Sequence, residues 1–85
     1  MPEISRFLGI VITMFYRDQG PPHFHATYGE HDIRVSIRDG VVTGKFPGRA
    51  LRLVREWHSL HKEGLLKDWD LARERKPLKN IAPLE

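Results

Sequence analysis

Two of the five histidines in this cysteine-free chain stand one residue apart, in the run Pro21-Pro22-His23-Phe24-His25-Ala26-Thr27-Tyr28. In an extended strand successive side chains alternate faces, so His23, His25 and Thr27 share one face and Phe24, Ala26 and Tyr28 the other. Two imidazoles on one face can do three things. They can satisfy backbone carbonyls and nothing more, as buried neutral histidines often do. They can act as an acid–base pair near neutral pH. They can also converge on one metal ion, since the neutral ring nitrogen is a common metal ligand.

Other residues extend each chemical reading. Tyr28, Arg34 and Arg38 follow closely, and imidazoles beside cationic guanidinium groups suit phosphodiester cleavage: a base for the attacking hydroxyl, an acid for the leaving oxygen, positive charge for the phosphorane. That version needs no cofactor. The metal version adds His61, because His23, His25 and His61 would supply three nitrogens and leave a tetrahedral zinc or similar divalent ion one open position. A carboxylate such as Asp18 or Glu63 would complete or orient the set. Arg34, Arg38 and Arg55 are the candidates for holding RNA or an acidic protein partner, although arginines on an edge strand or outer helix face are more often solvated surface.

The elements that must position these residues follow from the pattern of the chain. Met1–Leu8 reads as a lead-in that suits an edge strand. Ile10–Tyr16 is β-branched and aromatic, which predicts a strand. Arg17-Asp18-Gln19-Gly20 is a turn, and the two prolines, which lack an N–H, hold the chain extended before His23–Tyr28. Asp32–Arg38 alternates cleanly, with Ile33, Val35 and Ile37 on one side. Asp39-Gly40 then predicts a tight hairpin into a strand over Val41–Lys45. From Pro47 the apolar period changes, and Ala50, Leu53, Val54, Trp57, Leu60 and His61 predict a helix to Lys62. Gly64 suggests a break, Leu65–Arg75 a second helix ended by Lys76-Pro77, and Leu78–Leu84 a tail with Ile81 and Leu84 packed inward. The expected architecture is α+β: an antiparallel β-meander of about four strands covered on one face by two helices, in a single domain over residues 1–85.

Composition removes whole classes of function. With no cysteine there is no disulfide framework, thiolate cluster or cysteine nucleophile, which fits a reducing cytoplasm. The longest apolar run, Ile10–Phe15, falls short of the roughly 20 residues a membrane helix needs. The net charge of +3 is spread along the chain and makes an acidic partner plausible without demanding one. Trp57 and Trp69 fall on apolar helix stripes and read as packing residues. No phosphate-binding glycine loop, nucleophile elbow or helix-turn-helix pattern is present.

The run from Pro21 to Gly29, the Val54-x-x-Trp57-x-x-x-His61 segment, Trp69 and the closing Ile81-x-Pro83-Leu84 together resemble a family of small bacterial proteins classed as a domain of unknown function. The resemblance spans nearly the whole chain. Two positions depart from the family pattern, with Gln19 where a histidine is common and Gly64 where a glutamate is common. Members often sit beside a second small protein in a toxin–antitoxin-like pair. The resemblance therefore implies a toxin-like component that acts on or binds RNA through His23, His25, Tyr28 and His61, with the neighbouring small protein as its partner. Two alternatives stand beside it: a non-enzymatic, antitoxin-like or regulatory interaction domain, and a histidine-based metal-binding domain.

Overall fold

The computed structural model describes residues 2–85. Five strands form one antiparallel sheet in sequence order: β1 (Glu3–Phe7), β2 (Ile10–Thr13), β3 (His23–Tyr28), β4 (His31–Ser36) and β5 (Val42–Gly44). The lead-in segment is thus a full edge strand, and the meander has five strands rather than four. The β1–β2 hairpin turns through Leu8 and Gly9, both at positive φ (51° and 85°), the geometry that matches the twist of the flanking strands. At the other edge Gly44 has φ 108°, and a Cβ there would lie 2.9 Å from the Asp32 carbonyl oxygen. Only glycine lets β5 approach β4 this closely.

Alternation decides the core. Phe24 and Ala26 of β3, Ile33 and Val35 of β4, and Ile10 and Ile12 of β2 are buried, as are Met14 and Ile37 just past their strands. These residues meet the helix α1 (Gly48–Arg73), which buries Ala50, Val54, Trp57, Leu65, Trp69 and Ala72. Trp57 lies at the centre, with its ring 5.5 Å from both Phe7 and Phe24. Burying a side chain of this size is worth several kcal/mol, so it anchors helix to sheet.

A single helical element kinked at His61 replaces the two separate helices expected. The irregularity falls at His61 (φ −122°, ψ 21°), not at Gly64, and the chain stays helical through the glycine. Glycine costs about 1 kcal/mol against alanine inside a helix, a penalty offset by the packing of Leu65, Trp69 and Ala72 beyond it. The missing side chain also leaves room for Ile81, whose Cδ1 would lie 3.7 Å from a Cβ at Gly64. Leu60 is a second correction: it is 64% exposed, because the buried stripe runs from Trp57 past the half-buried His61 to Leu65. The helix ends where Arg75 turns to φ 59° and the Lys76 N–H bonds the Leu71 carbonyl at 2.9 Å, with Pro77 barring continuation.

The tail runs back along the helix without regular structure. Its Ile81 N–H donates to the Ile4 carbonyl at 2.8 Å and so covers part of the β1 edge. The Trp57 Nε1–H donates to the Ala82 carbonyl at 2.9 Å, and the Lys79 N–H to Asp68 Oδ1 at 3.0 Å. No helix among the described residues is long and apolar enough to cross a membrane.

Candidate functional site

With the helix packed on the Phe24 side, the opposite side of the sheet carries polar residues. Register places Arg34 of β4 opposite His25, and Ser36 opposite His23. Thr13 of β2 lies on the other flank of His25, and Thr43 of β5 beyond Arg34. The alternation read from the sequence therefore holds, and the two imidazoles share a face. β3 is central in the sheet. Its two prolines stand just before the ladder, where the Pro22 carbonyl accepts the Ile37 N–H at 2.9 Å and no N–H is needed from either proline.

The loop between β2 and β3 brings in the third group. Arg17 takes a positive φ of 54°, and its N–H reaches the Ala72 carbonyl at the end of α1, 3.3 Å away. The helix terminus thereby pins the loop. Asp18 follows, with one carboxylate oxygen accepting the Gln19 N–H at 2.9 Å and the other aimed at the imidazoles. Asp18 Oδ2 lies 2.8 Å from His23 Nε2 and 3.6 Å from His25 Nε2. Asp18, His23 and His25 each offer a ligand atom within 4.8 Å of the others, so the group is able to hold a metal ion.

His23 is 5% exposed, packed between the Trp69 ring at 5.0 Å and the His25 ring at 5.2 Å. Its Nδ1 is 2.9 Å from the Pro21 carbonyl oxygen. A carbonyl only accepts, so Nδ1 carries the proton and Nε2 is the nitrogen turned to Asp18. His25 is more open and takes the edge of Phe15 at 4.6 Å. Its Nε2 is buried and has no hydrogen-bond partner.

Electrostatics separates these groups. For Asp18, burial pushes the carboxyl up, but the Gln19 N–H and the two histidines outweigh it and hold the group below the usual carboxylate range. For His25, burial dominates and lowers the imidazole below its ordinary value, against the opposing pull of Asp18 and Asp32. Burial thus favours the uncharged ring of His25, beside a carboxylate that its neighbours hold in the ionised form.

Around this group runs a collar of arginines. Three adjoining clefts share Gly20. The first holds Arg17, Asp18 and Arg73, the second His23, Arg34, Ser36 and Thr43, and the third Arg38, Trp69 and Arg73. Four guanidinium groups from the loop, β4, the turn after β4 and the end of α1 therefore surround one loop. Among the described residues none of the four has an ion-pair partner, since the lysine and arginine ion pairs are Arg6–Glu3 and Lys76–Glu74.

The structure thus separates the expected site residues. His23, His25, Arg34 and Arg38 come together. His61 does not join them, because it sits on the helix with its ring 5.6 Å from Trp57, on the apolar side of the sheet. Tyr28 is at the far end of β3, about 16 Å from His23 at strand rise, its ring tilted against Phe46 at 6.0 Å. Arg55 donates to the Gly40 carbonyl at 3.4 Å and steadies the β4–β5 turn. Arg17 and Arg73 escaped the sequence reading, and no local pattern marks them: only the contact of helix end with loop makes them neighbours. His58 is likewise unanticipated, and its Nε2 lies 2.6 Å from the Ile37 carbonyl, a structural tie of helix to sheet.

Fold and site together define a small α+β domain with a His–Asp group and an arginine collar at one end of its sheet. Residues 9–70 match the family described as Domain of unknown function (DUF4160), and the chain belongs to that family. No curated protein matches the chain, and no solved structure does.

Proposed function

We propose that this protein engages RNA at the arginine collar and acts as the toxin-like component of a two-gene module, neutralised by a small acidic protein encoded beside it. The observation that carries the reading is the collar itself. Four guanidinium groups without an ion-pair partner among the described residues, Arg17, Arg34, Arg38 and Arg73, line the clefts around the loop that holds Asp18 next to His23 and His25, outnumbering the Asp39 and Asp70 carboxylates that line the same clefts. Like charges are not gathered this way for stability, because their repulsion opposes folding, whereas a polyanion repays it. Arginine also matches phosphate geometry with paired N–H groups. The Asp–His–His group is the chemically competent part of that surface, and a phosphodiester bound by Arg34 would lie over the same cleft as His23.

Expression of the chain in a bacterium, alone and with its neighbouring gene, tests the reading through growth and total RNA integrity. The expected result is growth arrest with RNA loss, relieved by the neighbour and abolished by His25→Ala in a protein that still folds. Normal growth and intact RNA would instead make the collar a docking face for an acidic protein, the non-enzymatic alternative. Charge reversal at Arg34 and Arg38 would then disrupt co-purification of that partner while His25→Ala would not.

A further inference from the structure

We infer that Asp18, His23 and His25 form a binding site for one divalent transition-metal ion of the zinc class, held by two imidazole Nε2 atoms and one carboxylate oxygen. The argument begins with protons. The Pro21 carbonyl fixes the His23 proton on Nδ1, so Nε2 presents a lone pair to a carboxylate oxygen only 2.8 Å away. Two acceptors at that separation need a proton or a cation between them. A proton on His23 Nε2 would satisfy that pair and no more. It would leave His25 Nε2 buried and without a partner, 3.6 Å from the same oxygen. A single cation between the three atoms satisfies all of them.

The geometry needs little adjustment. Zinc bonds of about 2.0–2.1 Å to nitrogen and oxygen place tetrahedral ligand atoms roughly 3.3–3.4 Å apart, and the observed 2.8 and 3.6 Å lie on either side of that spacing. A shift of about half an ångström in the Asp18 side chain brings both into range, and the ligand nitrogens of the two rings, within 4.8 Å of each other, close on the ion by turning the more open His25 ring. The surroundings have the form of a metal site as well. A ligating histidine normally donates its second ring N–H to a carbonyl or carboxylate, which sets the tautomer and ring angle. His23 does so to Pro21, a residue whose own nitrogen has no hydrogen to compete. Asp18 is oriented in the same manner by the Gln19 N–H on its other oxygen.

The donor set selects the ion. Two imidazoles and one carboxylate, with no thiolate, suit zinc and its first-row neighbours, while magnesium and calcium prefer sites made of oxygen alone. Three protein ligands leave at least one coordination position open. His23 also lines a surface cleft of ≈ 360 Å³ together with Arg34, Ser36 and Thr43, so an anion held by Arg34 would be placed beside the ion. This inference stands apart from the RNA reading, since ion binding is measured without RNA and RNA binding to the collar is measured on chelator-treated protein.

The test uses the untagged, chelator-stripped full chain titrated with zinc sulfate by calorimetry and, separately, with cobalt(II) followed by its visible absorption. One ion per chain and the intense bands of a low-symmetry, nitrogen-containing cobalt site are expected. Asp18→Asn keeps the side-chain shape on a loop and should weaken zinc binding by at least 100-fold; His25→Ala should do the same. His61→Ala should leave affinity within about twofold, because that ring belongs to the helix packing. Far-UV circular dichroism confirms folding of each variant, and Asp18→Asn decides the matter if His25→Ala does not fold. Absence of stoichiometric zinc uptake by the parent chain would overturn the site. So would affinity unchanged in folded Asp18→Asn, or lost in folded His61→Ala.

Discussion

Asp18, on the loop pinned to the end of α1, and Asp68, on α1 itself, carry the same carboxyl group, and their surroundings push them in opposite directions. Asp68 is 1% exposed. Burial raises its carboxyl, and the Lys79 N–H on one oxygen offsets only part of that cost, while the other oxygen has no partner. Asp18 is also desolvated, yet a backbone N–H and two imidazoles hold it low. The difference lies in the neighbours. A buried carboxylate facing one amide is a clasp for the tail, whereas one facing two imidazoles is a site. Damage near Asp68 should therefore appear as lost stability, and damage near Asp18 as lost binding.

The largest expected effect sits on the clasp side. Trp57→Ala removes the ring between Phe7 and Phe24 and the Nε1–H bond to the Ala82 carbonyl, and should cost about 4 kcal/mol in urea denaturation. A loss under about 1 kcal/mol would mean that the helix and tail are not held as described.

Next comes pH. Because the folded Asp68 pKa is raised, the native state retains this proton where the unfolded chain has released it. Its contribution to stability is therefore most favourable below the ordinary carboxylate pKa of about 3.9. That contribution falls as pH rises toward the folded value, and is constant above it. Asp68→Asn should remove this decline, so its stability relative to the parent chain rises over the window. A difference independent of pH would show that Asp68 does not titrate as a buried acid.

On the site side the stability effects should shrink. Asp18→Ala removes a partly exposed pair with His23 and should cost no more than about 1–2 kcal/mol, far less than Trp57→Ala. A loss matching that of Trp57→Ala would make Asp18 a second structural clasp and erase the contrast. Smallest of all, Arg34→Glu should change stability by under about 0.5 kcal/mol. It should also reduce the salt dependence of RNA binding, measured by fluorescence anisotropy, by about one unit of slope. An unchanged slope would place the RNA elsewhere.

Much of the fold was legible because it rests on local rules. The alternation of Ile33, Val35 and Ile37 marks a strand with one buried face, Asp39-Gly40 marks a hairpin, and the Val54–Trp57 spacing marks a helix stripe. Each is a property of neighbouring residues, and each is present in the structure, except that the β4–β5 hairpin closes through a longer loop over residues 37–41, with Gly40 but not Asp39 at positive φ, rather than through a tight Asp39-Gly40 turn. Half of the site was legible for the same reason: a strand period of two puts His23 and His25 on one face whatever surrounds them.

The amino-acid order by itself thus determined the antiparallel meander, the pairing of the two imidazoles and the absence of any thiol or disulfide chemistry. Tertiary structure alone decided that Asp18, rather than His61, joins those imidazoles, and that Arg17 and Arg73 close the collar. The physical reason is distance along the chain. Whether a helix bends at Gly64 or runs through it depends on what Leu65, Trp69 and Ala72 bury. The end of that helix then fixes the loop through the bond from Arg17 to Ala72, so the geometry of the site waits on packing contributed from the far end of the sequence.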